Sequence, residues 1–152
     1  MSREIITTLS DIVWSIDARN DTIGDLLDRM RDFLDTVFPA GEIKIDFQTH
    51  GLDFKQKIAQ NVRQNIYLIF KETVNNAAKH SGATEINIRL TNGTGTFIME
   101  IYDNGSGFKA NIKNTGHHGI NNMQMRAKRI GGELLIESCP GTKIILKARS
   151  LW

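Results

Sequence analysis

One long amphipathic helix framed by alternating segments limits this chain to folds in which helix and sheet share a core. Between Lys55 and His80 the residues Ile58, Val62, Ile66, Ile69, Thr73 and Ala77 recur at helical spacing, and Ser81-Gly82 ends the pattern. On either side the period changes to two. Ile43, Ile45 and Phe47 share one face of a predicted strand over Glu42 to Gln48, and Ile86, Ile88 and Leu90 do so over Thr84 to Leu90. Thr91 to Gly95 reads as a turn into a further strand, Thr96 to Tyr102, which makes a hairpin. Gly119 to Ile130 is helical, with Ile120, Met123, Ala127 and Ile130 apolar. Glu133 to Ser138 and Lys143 to Ala148 form a last hairpin about Pro140-Gly141.

The N-terminal part is helical throughout. Ile5, Leu9, Ile12 and Ile16 make a stripe suited to a helical hairpin or coiled-coil seam, interrupted by Asp17 to Asp21. Thr22 with Asp25 reads as a capping box. A second stripe follows through Ile23, Leu26, Leu27, Met30, Phe33, Leu34 and Val37, and Pro39-Ala40-Gly41 stops it. Two helices, a strand, a long helix, a hairpin, a helix and a hairpin fit an α/β (α+β) two-layer sandwich. The expected form is a mixed sheet of about five strands with helices on one face, preceded by an N-terminal helical segment. The expected division is 1–38 for that segment and 39–152 for the sandwich.

Composition narrows the function. A chain of 152 residues with 40% hydrophobic and 24% charged residues has enough material for one domain and a core. The net charge of +2, with basic residues scattered except at Arg126-Ala127-Lys128-Arg129, gives no argument for nucleic acid as a partner. That basic cluster reads as a solvated helix face. The lone Cys139 excludes an intrachain disulfide and reads as structural, in a reducing compartment. The longest apolar runs, such as Ile66 to Phe70, are far too short to cross a membrane.

Four motifs carry the chemistry. Glu72-Thr73-Val74-Asn75-Asn76-Ala77-Ala78-Lys79-His80-Ser81 lies on the long helix. At about 100° per residue Glu72, Asn76 and Lys79 fall in one stripe on the flank of the apolar face, at the lip of the core. Asp103-Asn104-Gly105-Ser106-Gly107-Phe108 ends a strand whose face carries Phe97, Met99, Ile101 and then Asp103, a carboxylate at the rim that needs donors. Gly105 and Gly107 let the backbone turn and approach a ligand closely. Gly116-His117-His118-Gly119 then opens a helix, whose N-terminus offers free N–H groups to phosphate. Gly141-Thr142 follows. Adjacent histidines rarely converge on one metal, and no third ligand is near His117 and His118.

These four motifs in this order resemble the ATP-binding site of the superfamily uniting sensor histidine kinases, gyrase, Hsp90 and MutL. The wording of the first block is most similar to the nitrate-sensor and desaturase-sensor branch of the histidine kinases. The resemblance spans roughly Glu42 to Lys147. It implies the left-handed sandwich of that superfamily, with ATP and Mg²⁺ as cofactors. It further implies that Asn76 coordinates Mg²⁺, that Glu72 orients or deprotonates the nucleophile, and that Lys79 and His80 contact phosphates or ribose. His80 serves equally as a hydrogen-bonded residue at the helix C-terminus. Asp103 would accept a hydrogen bond from the adenine amine, and Gly105, Gly107, Gly116 and Gly119 would line the nucleotide. Lys109 to His118 would be a mobile lid, with Met123 a core residue beneath it. Thr142 would bond near adenine, directly or through water, although a threonine starting a strand also reflects plain β-propensity.

The chain has Glu72 where the larger histidine kinase branch has Asn, and it lacks the phenylalanine-rich block before the lid. Both features favour the smaller branch. Its histidines are 50, 80, 117 and 118, and none has the context of a phosphoacceptor. Ser2 to Ile16 resembles the end of a dimerisation helix, and Asp11 to Ile16 resembles the join found in hybrid kinases with large extracytoplasmic sensors. The expectation is therefore a cytoplasmic catalytic fragment of an inner-membrane two-component sensor. It would serve a phosphorelay, with a separate dimerisation and phosphoacceptor domain, a response regulator receiver domain, and a homodimer in the full-length protein. An anti-sigma-type protein serine kinase and a catalytically inert nucleotide-binding or dimerisation module are the rival readings.

Overall fold

The structure is a computed structural model that describes residues 21–39, 41–105, 118–138, 140–149 and 151. The stripe at Ile5, Leu9, Ile12 and Ile16, most of the expected lid with Gly107 and Gly116, and Cys139 lie outside the described residues.

Helix α1, Ile23–Val37, begins as its sequence directs. Thr22 accepts from the Asp25 N–H while the Asp25 carboxylate accepts from the Thr22 N–H, a closed capping box. Two further N–H groups of its first turn are satisfied by loop carbonyls: Ile23 donates to Gln56 and Gly24 to Phe54, each at 2.9 Å. That pairing sets the start of helix α2. The helical stripe predicts a start at Lys55, but α2 runs Gln60–Asn76. Lys57 instead bridges to Thr22, and the Ile58 N–H donates to Asp21 at 2.7 Å. Ile58, apolar in helical phase, is buried as an anchor beneath the start of α1.

Strand β1 is Lys44–His50, β2 Glu85–Gly93 and β3 Thr96–Asp103. Helix α3, His118–Arg129, leads to β4, Gly132–Ser138, and β5, Thr142–Arg149. The sheet order is β1-β2-β3-β5-β4, a mixed sheet of five strands. β1 and β2 are parallel, joined by α2 as a crossover, and the remaining pairs are antiparallel. The β2–β3 turn is tighter than the sequence suggests, since Gly93 pairs with Thr96 and leaves only Thr94 and Gly95. Both have positive φ, 46° and 83°, as a two-residue hairpin twisted like its strands requires. Threonine is strained there. Thr94→Asn is expected to stabilise the domain by ~1 kcal/mol, read as a higher melting midpoint. A lower midpoint would mean the hydroxyl makes a contact worth more than the strain.

Alternation puts Ile86, Ile88, Leu90, Phe97, Met99, Ile101, Ile144, Leu146 and Ala148 on one face, all nearly inaccessible. They form one core with Ile66, Ile69, Phe70 and Val74 of α2 and with Met123 and Ala127 of α3. The buried face of α1 belongs to the same core, and Phe33 sets its ring edge-on against Tyr67 and Phe70 at 6.3 Å. Residues 23–37 therefore share a core with the sandwich. The opposite sheet face is a polar open groove lined by Asp46, Asn87, Arg89, Glu100, Tyr102 and Lys143, so among the described residues the helices cover one face only.

Candidate functional site

The central position of β3 in the sheet brings Asp103 to the end of the most enclosed strand. The alternation that buries Phe97, Met99 and Ile101 buries Asp103 as well, at 4% exposure. Its Oδ1 accepts the Gly105 N–H at 2.9 Å, which curls the loop back over the carboxylate. Thr142 stands directly opposite Asp103 on β5. Thr142 is buried too, and its Oγ1 has no hydrogen-bond partner among the described residues. A buried hydroxyl left in that state costs free energy unless a ligand or water completes it.

Gly141 explains itself sterically. A β-carbon there would overlap the Asp103 carbonyl oxygen and lie 2.9 Å from its carbonyl carbon and 3.1 Å from the Asn104 Cα. The last glycine motif is thus pressed against the backbone of the Asp motif, and the two form one structural unit with Thr142.

The second cluster is built on α2 and α3. Thr73 donates to the Ile69 carbonyl at 2.8 Å and lies 3.5 Å from Met123 Sδ, which locks the two helices together. Met123 is buried, the core residue its position predicts. One residue earlier, Glu72 is half-buried, and a β-carbon added at Gly119 would collide with its Oε1 and lie 3.3 Å from its Cδ. The missing β-carbon lets the first turn of α3 approach that carboxylate without displacing the Glu72 side chain. The positive end of the helix favours the negative charge placed beside it.

Of the basic cluster that reads as a solvated helix face, Lys128 and Arg129 are exposed, but Arg126 is only partly so. Seven residues after Gly119, it lies on the same face of α3 and is half-buried. Burial, reinforced by Arg129, holds its guanidinium below the usual arginine range, while the negative charge of Glu72 acts in the opposite direction. An arginine two turns after the helix-opening glycine was the signal available in the sequence.

The helix carrying Asn76 does not end as a regular α-helix. Ala77–Ser81 widens to a π-turn, closed by Gly82 at φ 66°. The uniform 100° step on which the Glu72–Asn76–Lys79 stripe rests therefore fails after Asn76. Glu72 and Asn76 are half-buried, and Lys79 is exposed on the wider turn. The His80 and His118 side chains lie outside the described residues, as do Gly107, Gly116 and His117.

Asn104 is the residue that sequence reasoning passed over inside its own motif. Its Oδ1 accepts the N–H groups of Thr84 at 2.9 Å and Glu85 at 3.0 Å, and its Nδ2 donates to Thr84 Oγ1 at 3.0 Å. Its own N–H donates to the Glu85 carbonyl at 3.2 Å. Nothing local marks it, because its partners lie about twenty residues upstream.

No group of three or more His, Cys, Asp or Glu among the described residues is arranged to hold a metal ion. An ion held there would have to take few protein ligands, as magnesium does. No helix among the described residues is long and apolar enough to cross a membrane.

Comparison with known proteins agrees with this geometry. The sequence pattern of the family described as histidine kinase-, DNA gyrase B-, and HSP90-like ATPase matches residues 61–150, from α2 to the end of β5. Sensor protein VraS of Staphylococcus aureus is 33% identical over 94 residues, 60% of this chain. The chain spans only 27% of the length of that relative. Among solved structures, the histidine kinase domain of the Erythrobacter litoralis EL346 blue-light activated histidine kinase superposes with a TM-score of 0.64 at 18% identity, covering 86% of this chain and 65% of that one. The Acinetobacter baumannii histidine kinase AdeS gives 0.67 at 12% identity, covering 97% and 79%. At those identities the two structures speak for the fold.

Proposed function

Since the chain belongs to the histidine kinase-, DNA gyrase B-, and HSP90-like ATPase family, we propose that it is the ATP-binding catalytic domain of a two-component sensor histidine kinase. The observation that carries this reading is the buried Asp103 carboxylate facing a buried Thr142 hydroxyl that has no partner among the described residues. A carboxylate only accepts hydrogen bonds, so the pair suits a ligand edge that offers an amine donor, as adenine does and guanine at the same position does not.

The remaining roles belong to the same proposal. Glu72, held against the first turn of α3, orients or deprotonates the attacking nucleophile. Asn76 offers a neutral oxygen one helical turn away and would hold Mg²⁺. When bound, that ion neutralises charge on the phosphates. Lys79 supplies a cation for the phosphate chain, with His80 beside it. Gly105, Gly107, Gly116 and Gly119 let the backbone close around the nucleotide. Phosphoryl transfer through a loose transition state depends chiefly on positioning and on charge stabilisation, so such a set of groups suffices.

The acceptor would be a histidine on a separate helical dimerisation domain, and the phosphoryl group would pass on to a response regulator receiver domain. The full-length protein would be a homodimeric sensor with this domain on the cytoplasmic side of the inner membrane.

Calorimetric titration tests the reading. Mg-ADP is expected to bind the unmutated chain and Mg-GDP to bind at least ten times more weakly, a difference of about 1.4 kcal/mol. Radiolabelled Mg-ATP is expected to leave no label on the chain alone. Equal affinity for the two nucleotides would remove the adenine-reading role of Asp103. Absence of binding would move the inert interaction module to first place, and label on the isolated chain would refute the separate acceptor.

A further inference from the structure

We propose that Asn104 is a positioning residue that fastens the adenine side of the site to the phosphate side. This inference rests on the nucleotide-site reading above. Its neighbour Asp103 points into the core at the end of β3, while the Asn104 side chain turns the other way and is exposed. There it receives both the Thr84 and the Glu85 N–H and donates to the Thr84 hydroxyl. Thr84 and Glu85 lie just past Gly82 and Ala83, which follow the π-turn that ends the Asn76 and Lys79 helix. The Thr84 carbonyl in turn accepts the Lys44 N–H at the start of β1. One amide side chain therefore ties the Asp103 loop to the exit of α2, where the Thr84 carbonyl also holds the edge strand.

The regular sheet does not supply this link. The ladder between β2 and β3 ends at the pair Ile86–Asp103, one residue short of the junction. Beyond it, the Asn104 backbone contributes one bond to Glu85, and the Asn104 side chain adds three more to Thr84 and Glu85. The π-turn is the irregular part of α2, and Gly82 follows it in left-handed conformation. A wide turn followed by a glycine has little intrinsic preference for one exit direction. The Asn104 amide gives the segment a fixed point on the Asp103 loop. Holding Asp103 and the end of the Asn76 helix to one frame matters because a nucleotide must meet both at once, and a displacement of about 1 Å costs on the order of a hundredfold in well-organised sites.

Three variants of the whole chain test this. Asn104→Ala removes all three side-chain bonds. Asn104→Asp keeps an oxygen for the two N–H groups. Met99→Ala weakens the core of β3 without touching the junction. The readouts are hydrogen exchange at the Thr84 and Glu85 amides and Mg-ADP affinity, at a temperature where every variant is folded. Asn104→Ala is expected to speed exchange at those two amides and weaken Mg-ADP about tenfold, while Met99→Ala leaves both near the unmutated values. Asn104→Asp is expected to keep the amides protected. Protected amides in Asn104→Ala would overturn the proposal, and so would affinity equal to that of Met99→Ala. Should Asn104→Ala fail to fold, Asn104→Asp decides, since fast exchange in it would show that the acceptor is not what holds the segment. If the unmutated chain binds no nucleotide, the site reading fails and the positioning role with it, and the exchange data then show separately whether the clasp exists.

Discussion

Asp103→Asn is expected to weaken Mg-ADP about a hundredfold and to erase any preference for adenine over guanine. The side chain is buried at the end of the central strand, so a ligand that reaches it has left water behind. In that setting a mismatched hydrogen bond is costly: facing a buried donor with another donor costs ~1–3 kcal/mol, more when a charge was the partner. The amide of asparagine presents an NH₂ where the adenine amine would also present one. If the amide flips, its oxygen serves the ligand but gives up the Gly105 N–H that Oδ1 now receives. Either orientation leaves one donor unsatisfied. The fold should be indifferent, because the substitution keeps shape and removes a buried charge, and a melting curve should show no loss of stability. Calorimetry of the variant against Mg-ADP and Mg-GDP reads the effect. Affinity within threefold of the unmutated chain would mean that Asp103 is not read by the base. Loss of folding would mean that the carboxylate acts on the domain and not on a ligand.

The difference between what was legible in the sequence and what was not follows the range of the interactions. Alternation and the 3.6-residue period are local and strong in this chain, and the five strands and three described helices emerge close to their predicted positions. The boundaries moved where a distant segment intervened. Lys57 and Ile58 sit in helical phase but are taken by Thr22 and Asp21 across the chain, so α2 starts later than its stripe. The turn at Thr94 and Gly95 is shorter than its composition suggests, because Thr91, Asn92 and Gly93 continue to pair with β3. The site divides in the same way. Glu72, Asn76 and Asp103 are legible because each stands at a recognisable place on its own element. The approach of Glu72 to Gly119, the half-burial of Arg126 and the three bonds of Asn104 depend on how α2, α3 and β2 are brought together. The π-turn also escaped, since the residues Ala77 to Ser81 give no local reason to leave the α-helical path.

Gly141→Ala should push a methyl group into the tightest backbone contact found at any described glycine. The chain at Gly141 does not need a glycine's backbone freedom, for its φ is not among the positive values. It needs the missing β-carbon, because that atom would occupy the space of the Asp103 carbonyl oxygen. The obstacle is backbone, not the yielding end of a side chain, so relief requires β5 and β3 to part at the pair Asp103–Thr142. Overpacking of that kind costs ~3 kcal/mol. Gly131→Ala is the control. Its φ is 71° and nothing lies within 4 Å of the added carbon, so only left-handed strain remains, about 1–2 kcal/mol. Urea unfolding of the two variants should rank Gly141→Ala clearly below Gly131→Ala. Nucleotide titration should separate them further, because parting the strands moves Asp103 and Thr142 away from each other, whereas strain at Gly131 lies at the far end of α3. If the two variants lost equal stability and both bound Mg-ADP as the unmutated chain does, the close approach of Gly141 to Asp103 would be slack that the sheet absorbs. If Gly141→Ala alone lost binding, the last glycine motif would owe its place in this site to a backbone contact and not to any contact with the nucleotide.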